Sequence, residues 1–329
     1  MLTHSLISYH KGAMIMADKV IIPKISDELT DHYLSKKGYE VITIDNPGQK
    51  DILNLAPDAA AVMMVSKKIS NDIYRQMPNL KILARRGVGY DNIDVDFAAK
   101  QGVWVTNTPG ANAHSVAEMA LMNMLQLRRQ FRLVDKLTRD DQWVGAYQLL
   151  GQDLTAGTIG IVGYGHVGQE LARLLTTLGV KVIIYDRKQK SSPYGKFVSW
   201  QKMFETADIM SLHLAAVPET RHIVGDREFQ WMKPESAMIN LARGQIIDEQ
   251  SLIWALQNKQ IAGAALDVFQ QEPIDKTNPL LKMDNVIVTP HIGANTQQAN
   301  QKMAMIAAKM IDTVLRGAAP KYAVNNPII

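Results

Sequence analysis

The chain has 329 residues, 47% hydrophobic and 21% charged, a balance that describes an ordinary globular protein long enough for two cores. Its net charge of +4 comes from Lys and Arg interspersed with Asp and Glu, and no basic run or basic-aromatic stripe marks a nucleic-acid surface. The absence of cysteine excludes disulfides, thiol nucleophiles and Cys-ligated metal and fits a reducing cytoplasm, while no apolar stretch approaches the ~18 residues of a membrane span.

Residues Met1 to Met16 lack the continuous apolar core of a signal peptide, and Met14 and Met16 are alternative starts. From Val20 short apolar runs alternate with helix-like segments. Val20-Ile22, Tyr39 to Ile44, Ala60 to Val65, Lys81 to Ala84 and Val103-Val105 read as strands, with Asp27 to Lys37 and Asp94 to Gln101 as helices among them. Alternation of this kind predicts a parallel sheet covered on both faces. The turn Arg86-Gly87-Val88-Gly89-Tyr90 follows the fourth strand. Two readings of it stand side by side: a tight turn, the commoner use of glycine, or a ligand seat beyond a strand's carboxyl end.

Thr108-Pro109-Gly110 interrupts the pattern, and Ser115 to Glu118 predicts a capping box opening a long helix that the charged segment Arg128 to Asp141 carries onto a surface. A domain boundary is expected near Asn112.

Ile159 to Gly168 then reads as a buried strand, a glycine-rich turn and a helix start, followed by the strand Val180 to Asp186. Gly163 permits the tight turn, Gly165 removes a side chain from the path of a pyrophosphate, and Gly168 permits close helix-strand packing. Backbone N–H groups around His166, Val167 and Gly168 would meet the phosphates at the positive end of a helix. Asp186 can accept from both ribose hydroxyls and would repel a 2′-phosphate, which favours NAD; Arg187 beside it weakens that preference. Four further strands, Asp208 to Leu214, Ala237 to Ala242, Ala262 to Val268 and Val286 to Thr289, predict a six-stranded Rossmann sheet. The last helix, about Asn295 to Arg316, has two possible homes, and folding back onto the first unit would make that domain discontinuous.

Three groups lie just beyond strand ends of the second unit: Arg243 after Ala242, Glu272 after Leu266-Asp267-Val268-Phe269, and His291 in Thr289-Pro290-His291-Ile292-Gly293. The arginine offers a planar fork to a carboxylate, the histidine can exchange a proton near neutrality, and the glutamate would favour its charged form and fix its ring. Singly each has a bland loop reading; at matching ends of one nucleotide-binding sheet they form a candidate catalytic set.

Gly87-Val88-Gly89-Tyr90-Asp91-Asn92-Ile93-Asp94, Asn107 to Glu118, the Gly163–Gly168 turn, Asn240 to Gly244, Ala265 to Phe269 with Glu272-Pro273, and Thr289 to Gly293 together resemble the D-isomer-specific 2-hydroxyacid dehydrogenase family, from about Val20 to the end. The resemblance implies an α/β protein of two domains: a Rossmann doubly wound parallel sheet over 112–295, binding NAD, and a flavodoxin-like parallel-sheet substrate domain over 1–111 and 296–329. It implies a hinge, a cleft and a homodimer, with no metal. Arg243 becomes the substrate clamp, His291 the acid/base and Glu272 its partner. Asp267 is placed near the nicotinamide, Ala242 and Gly293 among the cofactor contacts, and Val88-Gly89 at the substrate carboxylate. Ala215 and Gln245 depart from common family residues without touching a catalytic position. Glu272 argues against formate dehydrogenases, which carry Gln there.

The subtype expected first is D-3-phosphoglycerate dehydrogenase, on Asn107 to Asn112 and the charged flank of the first unit, without a C-terminal regulatory domain because the chain stops after the last helix. Glyoxylate, hydroxypyruvate and branched 2-oxo acids remain alternatives. Arg85 and Arg86 could meet a phosphate or face solvent. A reading of another class is an NAD(H)-sensing, corepressor-like binding protein, which needs only the cofactor pocket.

Overall fold

A computed structural model describes residues 17–25, 28–188 and 191–327, so the expectations for Met1 to Met16 and for a helix start at Asp27 lie outside the described residues. The chain divides into two compact units, one formed by the described residues of Met1–Asn112 and Thr296–Ile329, the other by Ala113–Asn295.

In the first unit five strands, β1 (Lys19–Pro23), β2 (Glu40–Ile44), β3 (Ala61–Met64), β4 (Ile82–Arg85) and β5 (Trp104–Thr106), form a parallel sheet ordered β2-β1-β3-β4-β5, the flavodoxin-like order. Helices α1 (Glu28–Lys36), α2 (Gln49–Leu55), α3 (Ile73–Gln76) and α4 (Val95–Lys100) connect them. The interior β3 is wholly buried, as a strand covered on both faces must be, whereas the edge strand β2 is buried only at Ile44. One face packs Ile21, Val62 and Leu83 under α2 to α4.

The other face, Val20, Ile22, Met63, Ile82 and Ala84, is covered by Ala307, Ala308, Ile311 and Val314 of α12 (Gln297–Leu315), a helix from the far end of the chain. Small alanines on its inner side permit close approach to the sheet, and each fully buried Ile or Val contributes roughly 1.5–3 kcal/mol by leaving water. Asp312 on the same helix accepts from Tyr39 Oη at 2.9 Å and Arg316 Nε at 2.6 Å, tying α12 to the segment entering β2.

The second unit opens with α5 (Ala113–Arg128), α6 (Phe131–Arg139) and α7 (Trp143–Gln148). Two local expectations are corrected here. Ser115 is buried inside the first turn of α5 because the helix starts at Ala113, so it is no N-cap, and Glu118 instead meets His114 at 3.1 Å. The long helix also breaks: Gln130 takes a left-handed conformation with φ 48°, and the charged segment forms the separate helix α6.

Seven parallel strands follow: β6 (Thr158–Val162), β7 (Lys181–Tyr185), β8 (Lys196–Phe197), β9 (Ile209–Leu212), β10 (Ala237–Asn240), β11 (Gly263–Leu266) and β12 (Val286–Val288). Their order is β12-β11-β10-β9-β6-β7-β8, a doubly wound sheet whose strand order reverses between the parallel neighbours β6 and β9. Six strands were expected. The seventh, β8, has only two residues, too few for a periodic signal, and pairs because β7 offers it an edge. Helices α8 (His166–Thr177), α9 (Trp200–Thr206), α10 (Asp226–Trp231) and α11 (Glu249–Gln257) complete the unit, with α5 and α8 on one face and α9 to α11 on the other.

Candidate active site

At the reversal of strand order, β6 runs into Gly163, whose φ of +96° an L side chain rarely adopts; a Cβ there would also stand 2.5 Å from the carbonyl oxygen of His213. Gly168 lies in the first turn of α8, and its Cβ would be 2.1 Å from the carbonyl oxygen of Gly163. A Cβ on Gly165 would meet nothing within 4 Å, so its side of the turn is open. Gly165 caps α8 without a side-chain bond, which leaves the N–H groups of the first turn, from His166 through Gly168, without a side-chain cap at the positive end of the helix. Asp186 at the end of β7 accepts from Tyr164 N–H at 2.8 Å and Lys188 N–H at 2.9 Å, so its carboxylate is fixed beside the turn, while Arg187 is exposed. A turn only glycine can make, an open face and a fixed carboxylate fit a dinucleotide.

His213, beyond β9, holds this turn from the other side. Burial pushes its imidazole down to about 4, and Nε2 shares a hydrogen bond with Ser211 Oγ at 2.9 Å. An unfolded histidine protonates near 6.5, so between pH 6.5 and 4 the unfolded chain binds the extra proton and stability falls on acidification, by up to about 3 kcal/mol for this group. His213→Asn is expected to flatten that part of the stability curve measured by urea unfolding, and an unaltered slope would show that another group causes it.

The carboxyl ends of β10, β11 and β12 carry the remaining groups. Asn240 shapes the loop after β10: its Nδ2 donates to the Arg243 carbonyl at 2.9 Å and its Oδ1 accepts from Ala242 N–H at 3.0 Å. Arg243 donates through Nη1 to the Ala242 carbonyl at 2.7 Å. After β11, Asp267 is 1% exposed and serves the loop beyond β12. Its Oδ1 accepts from Thr289 Oγ1 at 2.6 Å and Ile292 N–H at 2.8 Å, its Oδ2 from Gly293 N–H at 2.7 Å, and its carbonyl from His291 N–H at 2.8 Å. This clamp sustains His291 at φ 55°, a left-handed conformation that costs a non-glycine residue about 1 kcal/mol or more.

So held, His291 donates from Nδ1 to Glu272 Oε2 at 2.7 Å, and Glu272 Oε1 accepts from Phe269 N–H at 3.1 Å. Partial burial pushes the Glu272 carboxyl up, but the bond and charge of His291, the Phe269 N–H and the nearby Arg243 charge outweigh it, and the net shift is down. An ionised carboxylate accepts only, which assigns the shared hydrogen to Nδ1 and leaves Nε2 outside the bond to Glu272. The structure thus joins Glu272 to His291 directly and brings the Arg243 charge within reach of Glu272. It keeps Asp267 under the histidine loop with both oxygens engaged.

In the first unit, the turn at Val88 and Gly89 is gripped by its carbonyls: Thr108 N–H donates to Gly87 at 3.0 Å and Asn107 Nδ2 to Val88 at 2.8 Å. The Arg85 guanidinium lies across Gly87, and Arg86 is buried with Nη2 donating to Asn300 Oδ1 at 2.8 Å. Sequence reading placed Asn240 and Asn107 in matching stretches but gave neither a role, because a side chain that shapes a turn leaves no repeating signal. Among the described residues no cluster of three or more His, Cys, Asp or Glu could hold a metal, and no helix is long and apolar enough to cross a membrane.

Residues 121–293 match the family model for the D-isomer specific 2-hydroxyacid dehydrogenase, NAD binding domain. A glyoxylate reductase of Thermofilum pendens is 36% identical over 292 residues, covering 86% of each chain. A D-3-phosphoglycerate dehydrogenase of Archaeoglobus fulgidus is 35% identical over 317 residues, 94% of this chain and 60% of that one. The crystal structure of D-lactate dehydrogenase with NAD+ from Lactobacillus jensenii superposes with a TM-score of 0.79 at 27% identity, covering 93% of this chain and 99% of that one. With the nucleotide turn, its acidic partner and the paired His291 and Glu272 on one sheet edge, these likenesses lead to one conclusion: the chain belongs to the D-isomer-specific 2-hydroxyacid dehydrogenase family and is an NAD-dependent oxidoreductase.

Proposed function

We propose that His291 is the acid/base, Glu272 its orienting partner and Arg243 the carboxylate clamp for reversible exchange between a 2-hydroxy and a 2-oxo acid. The 2.7 Å bond from His291 Nδ1 to Glu272 carries this reading, because it presents Nε2 for proton transfer and stabilises the imidazolium. NAD, when bound, accepts the hydride on oxidation and NADH returns it on reduction. Arg243 orients the substrate by two parallel bonds to its carboxylate. His291 gives its Nε2 proton to the carbonyl oxygen as charge develops there and takes it back in the reverse direction. In the first unit, the Val88 and Gly89 amides suit an anion. The turn from Gly163 to Gly168, with His166 and Val167, is assigned to the pyrophosphate, Asp186 with Arg187 beside it to the ribose, Asp267 to the nicotinamide end, and Ala242 and Gly293 to the cofactor without a finer place.

D-3-Phosphoglycerate is the substrate read first, supported by Arg85, whose guanidinium across Gly87 suits a second anionic group. Glyoxylate or hydroxypyruvate is the second reading, supported by the similarity to relatives named glyoxylate reductase. NADH oxidation across phosphohydroxypyruvate, hydroxypyruvate, glyoxylate and branched 2-oxo acids separates them; turnover of none would refute the assignment of all three catalytic residues.

Asp186→Ser is expected to lower the preference for NADH over NADPH by about tenfold, the effect of removing roughly 1.4 kcal/mol of charge discrimination. A preference unchanged in the ratio of kcat/KM values places cofactor choice elsewhere.

A homodimer is proposed from α6 and α7. Trp143 is 70%, Tyr147 83% and Leu150 85% exposed, and Phe131 and Val144 are exposed beside them in sequence. The same stretch borders a 440 Å³ cavity whose lining mixes Leu127, Leu133, Leu150, Ile209 and Ile287 with the charged Arg128, Arg132, Asp208, Glu235 and Asp284. Protruding apolar side chains, one of which, Leu150, also borders a hollow, suit a two-fold, self-complementary interface. Sedimentation should give twice the chain mass, falling to one chain in Trp143→Glu; a monomeric wild type rejects the interface. The cysteine-free composition suits the cytoplasm.

A further inference from the structure

We propose that His222 is a positioning residue that locks the loop carrying Arg243 to the loop carrying Glu272, an inference that rests on the catalytic reading above. His222 lies in the connection after β9 and makes no hydrogen bond to His291 or Glu272. Its backbone sits at φ 51°, a conformation unfavourable for a residue with a Cβ.

What sustains it is a seam of backbone bonds to the segment just after Arg243. His222 N–H donates to the Gln245 carbonyl at 2.8 Å, Val224 N–H to that of Ile246 at 3.2 Å, and Asp248 N–H to that of Val224 at 2.9 Å. A non-glycine residue held left-handed by bonds on both sides marks a place where surrounding structure dictates the geometry.

The side chain reaches the second loop. Gln270 Nε2 lies 3.0 Å from His222 Nε2, and an amide NH2 can only donate, so the ring nitrogen accepts and its hydrogen sits on Nδ1. That Nδ1 is 3.6 Å from Asp248 Oδ2. The same Gln270 amide is 3.3 Å from the Ile247 carbonyl, which makes it a bridge between the two loops. Gln270 stands next to Phe269, whose N–H donates to Glu272, and two residues before Glu272 itself. The loops touch backbone to backbone, since a Cβ on Gly244 would stand 2.0 Å from the Phe269 carbonyl. The residue therefore joins both strand-end loops, by its backbone N–H to Gln245 and by its imidazole to Gln270, and removing the imidazole leaves the 269–272 segment held only by the Gln270–Ile247 bond and the Gly244 contact, looser relative to Arg243.

The experiment compares His222→Ala, Gln270→Ala, the double variant and His222→Gln, whose amide oxygen can replace the accepting nitrogen. Each is assayed with NADH and the best 2-oxo acid of the panel, across pH. Each alanine variant should lose about tenfold in kcat, move the ionisation seen in the pH profile of kcat/KM, and leave the Kd for NADH within about twofold. The double variant should lose no more than the worse single one, because both remove one link, and His222→Gln should restore kcat to within about threefold of wild type. Unchanged kcat and pH profile in the single variants, or a double loss equal to the product of the single losses, overturns the lock. So does a loss that tracks weaker NADH binding. If His291→Ala is inactive while His222→Ala is fully active, only the lock falls; if His291→Ala retains turnover, the catalytic reading falls and takes the lock with it.

Discussion

Replacing His291 with alanine is expected to cut kcat by about 10²- to 10⁴-fold, the usual contribution of a positioned acid/base, while NADH binds with nearly wild-type affinity. The separation follows from where the residue stands. His291 lies beyond β12, held by Asp267 and paired with Glu272 at 2.7 Å, whereas the nucleotide turn is built from β6, α8 and β7. Fluorescence titration with NADH checks the binding half, and single-turnover hydride transfer checks the chemistry. Substrate binding should also weaken little if Arg243 supplies most of the hold on the carboxylate. Turnover within threefold of wild type would remove His291 from the mechanism; a large loss in NADH affinity would make it a cofactor ligand.

The second large effect is expected at Gly244. Its Cβ would collide with the carbonyl carbon and oxygen of Phe269, both at 2.0 Å, and stand 2.5 Å from Gln270 N. No side-chain rotation relieves a clash with backbone, so one loop must move. Gly244→Ala should therefore lose about 1–3 kcal/mol of stability, as other overpacked sites do. It should also lose about 10- to 100-fold in kcat, because one displaced loop carries Arg243 and the other presents Phe269 N–H to Glu272. Thermal unfolding and steady-state rates of the same preparation test the two together. A variant with wild-type melting and wild-type kcat would mean that the close approach is dispensable.

Much of this protein is legible in local sequence. Short apolar runs separated by helical segments specify parallel sheets, because a strand covered on both faces must be apolar throughout, and β3, β6, β9, β10 and β11 are buried along their whole length. The spacing of Gly163, Gly165 and Gly168 encodes a turn whose stereochemistry is settled within six residues. Arg243, Glu272 and His291 could be singled out because each follows a strand, and in a parallel sheet strand ends share an edge.

The rest depended on distance along the chain. Two-residue β8 exists only because β7 presents an edge, and the break at Gln130 ends an apolar pattern whose charged continuation still favours helix. Nothing local says that α12 covers the sheet begun by Val20, some 290 residues earlier, or that His222 and Gln270 meet across 48 residues. Residue types and turn chemistry, carried by a few neighbouring side chains, set which strands, helices and glycine turns this chain forms. Tertiary structure alone decided which loop ends come within hydrogen-bonding reach, because a 2.7 Å contact between Glu272 and His291 requires strand register and loop path to be correct at once, and neither is written in any single stretch.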